Sequence, residues 1–333
     1  MVGESKVKVL ITGGAGFIGS HIAERLQNSG SVIVYDDLSS GKPENLQGMD
    51  VELIEGDVCD RGALKEACEG VGTVFHLAAR VDVAESMEHP RETLRVNTEG
   101  TLNLMEVCSK QGVRTVVFSS SAAIYGDSPT LPKREGMIPE PKSPYAVSKL
   151  DGEYYLRLYG EQYGMKTVSL RYFNVYGPRQ NPTSDYAAVI PAFLQRAVRN
   201  EDITIYGDGS QTRDFIYVED VVGANLLAAG LDSAAAAAEA SEAKPSRQHG
   251  VYNVASASSV SVNDLAETIR EITGSRSRIV HTAPRAGDVK HSLADTSRIW
   301  QDLGFSVTVG LEEGLRRTAQ WFGSALALPS NPG

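Results

Sequence analysis

The chain has 333 residues, 41% apolar and 22% charged, the proportions of a globular protein rather than a disordered one. Its length predicts one large domain or a large domain with a smaller companion, and its formal charge of −10 argues against a nucleic-acid surface while leaving room for a local basic pocket around one phosphate-bearing ligand. No apolar run is long enough to span a bilayer, and the start MVGESKVKVLITG leads into a strand without signal-peptide features, so a cytoplasmic, membrane-free protein is expected.

In chain order, short β-branched runs alternate with amphipathic stretches. VKVLIT (7–12) reads as a strand, FIGSHIAERLQNSG (17–30) as a helix closed by Gly30, and SVIVYDD (31–37) as a second strand. VELIEGD (51–57), TVFHLAA (73–79), TLNLMEVCSKQG (101–112) and RTVVFSSS (114–121) continue the alternation. A helix opens near Ser143, and TVSLRYFNVYG (167–177) supplies a further strand. Strand-helix-strand in this order predicts an α/β fold, a doubly wound parallel sheet of Rossmann type with helices on both faces. The Pro-, Asn- and Gly-rich stretch from Gly177 to Asp185 reads as a boundary or long loop. The division expected is a dinucleotide-binding domain over residues 1–176, with chain returns near 214–231 and 250–260, and a smaller C-terminal α/β substrate domain mainly over 177–333. The Ala-rich then polar run 232–249 reads as a helix tail entering a surface loop. Cys59, Cys68 and Cys108 are odd in number with no CxxC, and the six histidines are scattered, so neither a disulfide framework nor a metal site is expected.

TGGAGFIGSH carries Gly13, Gly16 and Gly19 directly after a strand and at the opening of a helix. Gly13 permits the tight turn, Gly16 lets a pyrophosphate approach the backbone, and the helix start offers free N–H groups with a partial positive charge. The arrangement predicts a dinucleotide site. Asp36, at the end of the second strand, lies where an acid meets the adenosine ribose and would repel a 2′-phosphate, which favours NAD over NADP. Asp37 reads equally well as a turn residue, and Asp57 is placed to accept from the adenine amino group.

SPYAVSK (143–149) places a phenol and an ammonium on one face of a helix, with Ser143 as N-cap and Pro144 at the first helical position. An ammonium beside Tyr145 would lower the phenol's pKa and make it a general base near neutral pH. The preceding strand ends in three serines at the carboxyl edge of the sheet, where ligands of open α/β folds bind.

Taken together, TGGAGFIG, HLAA, the SSS before YG, YAVSK and RYFNVYGPRQ resemble the extended short-chain dehydrogenases, specifically the NAD-dependent nucleotide-sugar 4-epimerase branch, from Val7 to about Leu311. The resemblance implies that Ser121, Tyr145 and Lys149 are the catalytic trio. Tyr145 takes the proton of the sugar 4-hydroxyl while hydride passes from C4 to NAD, and a 4-keto sugar rotates and takes the hydride back on its other face. It also implies NAD contacts at Phe17, Ile18, Ser40, Val58, Leu77, Ala78, Ala79 and Asn97. Ser119, Tyr172 and Phe173 complete that set at the nicotinamide end, where Lys149 also holds the ribose. For a UDP-sugar it implies Asn174, Arg213 and Arg285 near the diphosphate, Asp288 on the nucleoside ribose, Ala188, Val189 and Tyr206 along the nucleotide, and Ala122 beside the sugar. Ser292, four positions after Asp288, falls where residue bulk decides whether an N-acetyl group at C2 enters. A serine there implies UDP-GlcNAc/UDP-GalNAc with UDP-glucose/UDP-galactose also accepted. The other readings are an epimerase restricted to the simple hexoses, a UDP-glucuronate 4-epimerase, and a non-enzymatic NAD-binding sensor. Sugar dehydratases and decarboxylases carry an acid just after the strand-end Ser or Thr, where this chain has Ala122 and Ala123. A homodimer paired through helices at 92–110 and 144–163 is implied as well.

Overall fold

The computed structural model describes residues 7–181, 189–231, 249–284 and 290–327. Twelve strands are formed among them: β1 Lys8–Thr12, β2 Ser31–Asp36, β3 Glu52–Glu55, β4 Thr73–His76, β5 Thr115–Ser121, β6 Lys166–Tyr172, β7 Asn174–Tyr176, β8 Ile203–Tyr206, β9 Thr212–Tyr217, β10 His249–Val254, β11 Ser259–Ser261 and β12 Ile279–Thr282. Seven of these make one sheet in the order β10-β6-β5-β4-β1-β2-β3, with every neighbouring pair parallel. Strand order along the sheet reverses between β1 and β4, the position at which open α/β sheets bind ligands in a crevice beyond the carboxyl ends of the strands.

β1 and β2 are buried on both sides, as their unbroken apolar runs require: Leu10, Ile11 and Val34 have no exposed surface. One face of the sheet packs on the helices Phe17–Leu26 and Val218–Ala229 through Ile22, Val34, Val117, Val221 and Leu170. The other packs on Arg61–Ala67, Gly100–Gln111 and Pro144–Tyr163 through Leu64, Leu104, Val116 and Leu156. A third apolar core joins the helices Val189–Val198, Val262–Thr273 and Leu311–Ala327 around Phe193, Ile205, Phe215 and Leu265. It carries the three-stranded sheet β11-β9-β7 and the pair β12-β8.

Two expectations change in the structure. The first helix ends at Leu26, and Gln27–Ser29 form the turn before Gly30. The stretch 167–177 is two strands rather than one. β6 leaves the large sheet after Tyr172, Phe173 donates its N–H to the Val254 carbonyl at 3.0 Å, and Asn174–Tyr176 then pair with Phe215–Tyr217 in the small sheet. The break delivers Asn174 from one sheet to the other beside the crevice. The stretch 90–111 is continuous helix with a π turn at Arg95–Glu99, inside which Asn97 lies buried. Of the residues named from the sequence, Ala188, Arg285 and Asp288, with most of the Ala-rich run, lie outside the described residues.

Candidate active site

The glycine turn follows β1. Gly13 has φ +69°, and a Cβ there would lie 2.6 Å from the Ala78 nitrogen at the end of β4. A Cβ at Gly19 would lie 2.3 Å from the Gly13 carbonyl oxygen, so the helix that begins at Phe17 can approach the turn only without a side chain there. Gly16 precedes that helix, whose first turn contains no acidic residue, and the N–H groups of Phe17, Ile18 and Gly19 begin it without intrahelical partners. Such a start suits a pyrophosphate.

Asp36 is 6% exposed at the end of β2. One carboxylate oxygen accepts from Ala15 N and the other from Leu38 N, both at 2.9 Å, which aims the group across the turn and leaves a lone pair on each oxygen for a ribose hydroxyl. Burial pushes its pKa up while the two backbone donors oppose this. Asp37 is exposed and accepts from the N–H and hydroxyl of Ser39, so its side chain is occupied in a turn. Ser40 is exposed beside it. Asp57 accepts from Cys59 N at 2.8 Å and pairs with Arg95 at 3.0 Å, and these donors hold its pKa low against burial. Val58 is buried next to it. Leu77, Ala78 and Ala79 continue β4 past the glycine turn, with Leu77 N bonded to the Thr12 carbonyl. Asn97 uses both ends of its amide on the backbone of Arg80 and on the Ser148 hydroxyl, tying this loop to the helix Pro144–Tyr163.

That helix begins as its sequence requires: Ser143 Oγ accepts from Ala146 N at 3.1 Å and Pro144 occupies the first position. Three successive turns of it engage the three serines of β5. The Tyr145 and Ser121 hydroxyls are hydrogen-bonded, Lys149 Nζ donates to the Ser119 carbonyl at 2.8 Å, and Glu153 accepts from Ser120 Oγ at 2.5 Å. Lys149 is buried, with Nζ 5.0 Å from the Phe118 ring centroid and 5.8 Å from that of Tyr145. The expected depression of the phenol is not the dominant effect in the protein alone. Burial pushes Tyr145 up, the Ser121 hydrogen bond pulls it down, and burial brings Lys149 itself down to about 7. Ser121 Oγ also accepts from Ala123 N at 3.1 Å, which leaves its hydroxyl proton available to another acceptor.

Phe173 is buried with Ile124, Tyr125, Ala255 and Ala294 beneath Ala122. Tyr172 turns away from the crevice: its hydroxyl donates to Asn225 Oδ1 at 2.9 Å and its ring belongs to the core. Asn174 donates to the Asp214 carbonyl at 2.9 Å. Arg213 donates to the carbonyls of Thr212 and Lys290, and Ser292 N donates to the Thr212 carbonyl at 3.0 Å, so the segment carrying Ser292 runs beside the start of β9, next to Arg213. Val189 opens its helix, and Tyr206 ends β8, 39% exposed.

Sequence reading missed two groups. Glu153 and Arg171 form a bidentate pair, 2.8 and 2.7 Å, under the serines, and Arg171 Nη1 donates to the Tyr125 hydroxyl at 2.9 Å. A charge inside the apolar strand TVSLRYF was the available signal. Asp214, fully buried, is the other.

The sequence profile described as the NAD dependent epimerase/dehydratase family matches residues 9–255. This chain belongs to that family. Among its relatives, the UDP-N-acetylglucosamine 4-epimerase of Methanobrevibacter ruminantium, solved with UDP-N-acetylmuramic acid, is 40% identical, superposes with a TM-score of 0.88, and covers 96% of this chain and 99% of its own. The UDP-glucose 4-epimerase of Thermotoga maritima, solved with UDP-glucose, is also 40% identical, with a TM-score of 0.87 over 96% of this chain and 100% of its own. A UDP-glucose 4-epimerase of Mycolicibacterium smegmatis is 36% identical over 325 residues, 95% of this chain and 98% of that protein. The cofactor of the family is NAD, and the glycine turn with Asp36 fits it.

Proposed function

We propose that the protein epimerises C4 of a UDP-hexose, taking UDP-GlcNAc/UDP-GalNAc and also UDP-glucose/UDP-galactose. The observation that carries this is the register of Ser121, Tyr145 and Lys149 at the carboxyl end of β5, across the crevice from the glycine turn. Bound NAD would supply a reversible hydride acceptor for C4. The chain's own residues handle the proton and the geometry. Tyr145 Oη removes the 4-hydroxyl proton, and Ser121 Oγ bonds the same oxygen. Lys149, held by the Ser119 carbonyl, favours the phenolate when protonated. Ala122 and Ala123 supply no further acid or base, which speaks against dehydration or decarboxylation.

In the same proposal, Gly13, Gly16, Asp36 and the start of the helix Phe17–Leu26 hold the dinucleotide, and Asn174 and Arg213 hold the diphosphate, with the large sheet as the cofactor domain and the small sheets as the substrate domain. Ser292 leaves room for an acetamido group at C2. Val147, Tyr154 and Leu158 project from one side of the helix Pro144–Tyr163, at 39, 54 and 58% exposure, and make it the proposed dimer face. Sedimentation of a Leu158→Arg variant as a monomer, against a wild-type dimer, is the expected check.

The deciding experiment incubates the protein with each UDP-hexose and UDP-N-acetylhexosamine and follows C4 epimers by NMR. Both pairs should equilibrate without added reductant. Turnover of UDP-galactose with UDP-GalNAc untouched would remove the N-acetyl reading and leave the narrower epimerase. No turnover of any pair would remove the epimerase reading altogether.

A further inference from the structure

β9 lies at the centre of the small sheet and touches every described segment that carries a proposed diphosphate or C2 residue. It pairs with β7, which begins at Asn174, and with β11 on its other side. Its first residue, Thr212, exchanges backbone hydrogen bonds with Lys290 and Ser292, both at 3.0 Å. Asp214, the third residue of this strand, has no exposed surface, and its side chain holds both the turn at Ser256 and the continuation of the Ser292 segment at Ala294. One carboxylate oxygen accepts from the Ser256 N–H at 2.9 Å and the Ser256 hydroxyl at 2.8 Å. The other accepts from Ala294 N at 3.1 Å. Its main-chain carbonyl accepts from the Asn174 amide.

The turn at Ser256 has a feature that needs such an acceptor. Ala257 has φ +56°, a left-handed conformation that costs a residue with a Cβ about 1 kcal/mol. Its N–H also points to the Asp214 carboxylate, so two successive backbone donors converge on one anion. A carboxylate held by neutral donors inside the protein stays only if those donors stay, because leaving any of them unpaired costs about 1–3 kcal/mol. The segment through Ala294 is therefore pinned at a set depth, two residues from Ser292.

We propose that Asp214 is a positioning residue for sugar specificity. Its carboxylate fixes the segment that carries Ser292 against the C2 substituent, and its carbonyl orients Asn174 toward the diphosphate. This rests on the UDP-sugar reading above. Asp214 itself touches neither the sugar nor the reacting atoms in this account, and it lies outside the Ser121–Tyr145–Lys149 group. Its loss should therefore act on KM and on the choice between sugars, with little effect on the chemical step.

The test is Asp214→Asn, which keeps the shape but turns an N–H₂ group toward Ser256 N–H or Ala294 N–H. Hydrogen exchange at Leu293 and Ala294 should quicken about tenfold, the equivalent of one lost hydrogen bond. KM for UDP-GlcNAc should rise about tenfold with kcat within about threefold, and the kcat/KM ratio of UDP-GlcNAc to UDP-glucose should fall about threefold or more. NAD content should stay at the wild-type level. If the variant does not fold, Ser256→Ala removes one of the donors and should move KM and the ratio in the same direction by about twofold. Unchanged exchange at Ala294, or an unchanged sugar ratio in a variant whose Ala294 exchanges faster, overturns the inference while leaving the epimerase reading intact. Exchange is read on the protein without substrate, so it judges the clamp even if the wild-type chain proves inactive on every UDP-hexose.

Discussion

Replacing Arg171 with Met should cost the protein both stability and rate, and the structure gives the size of each. The Arg171 and Glu153 side chains are each 5% exposed, joined by two hydrogen bonds, with Tyr125 and Ser120 as further partners. Methionine fills much of the volume but leaves the Glu153 carboxylate buried with only the Ser120 hydroxyl to stabilise it. Breaking a buried pair in this way costs about 3–5 kcal/mol. At roughly 2 °C per kcal/mol for a chain of this size, the thermal midpoint should fall by about 6–10 °C. Ser120 sits between the residues that engage Lys149 and Tyr145, so a shift of the carboxylate displaces both, and kcat should fall about tenfold through misplacement alone. Differential scanning calorimetry and initial rates on the same preparation supply the two numbers. Adding Glu153→Leu removes the orphaned charge and should recover most of the midpoint, since a buried pair is often no more stable than apolar residues of similar volume. A single variant within about 1 kcal/mol of wild type, or a double variant whose loss equals the sum of the singles, would refute the account of the pair as a coupled buried unit.

Tyr145→Phe keeps the ring and its packing but removes the proton acceptor; kcat should fall by about 10² or more with NAD still bound, and near-normal turnover would exclude Tyr145 as the base. Denatured protein should release NAD rather than NADP, read by enzymatic cycling assays, because a carboxylate at the end of β2, such as Asp36, would accept from ribose hydroxyls and repel a 2′-phosphate. Burial lowers His76 from 6.5 to about 3 and His21 to about 4, so between pH 6.5 and 4 the unfolded chain binds more protons than the folded one and stability falls as pH falls. Each histidine contributes up to about 1.4 kcal/mol per pH unit. Urea midpoints should drop across this window less steeply in His76→Gln than in wild type, and parallel slopes would contradict the assignment.

The sequence by itself determined the parts of this protein that depend on neighbours in the chain. A glycine turn between a strand and a helix, a Ser-Pro helix start, and Tyr and Lys one turn apart are local features, and local geometry alone makes them a phosphate cradle and a paired phenol and amine. Period and composition also made the parallel sheet legible, because buried strands must be apolar on both faces. The tertiary structure decided what depends on distant segments meeting. The strand expected over 167–177 divides after Tyr172 because Val254 and Phe215 offer better partners on two different sheets. Tyr172 turns inward because Asn225, 53 positions away, binds its hydroxyl. The phenol of Tyr145 is raised because burial outweighs the hydrogen bond from Ser121, and burial is a property of the assembled fold. Asp214 and Arg171 look like ordinary charges in the sequence. Only the fold surrounds the first with the N–H groups of Ser256 and Ala294 and the second with the carboxylate of Glu153. A buried charge is stable only where such partners converge, and that convergence is set by long-range packing.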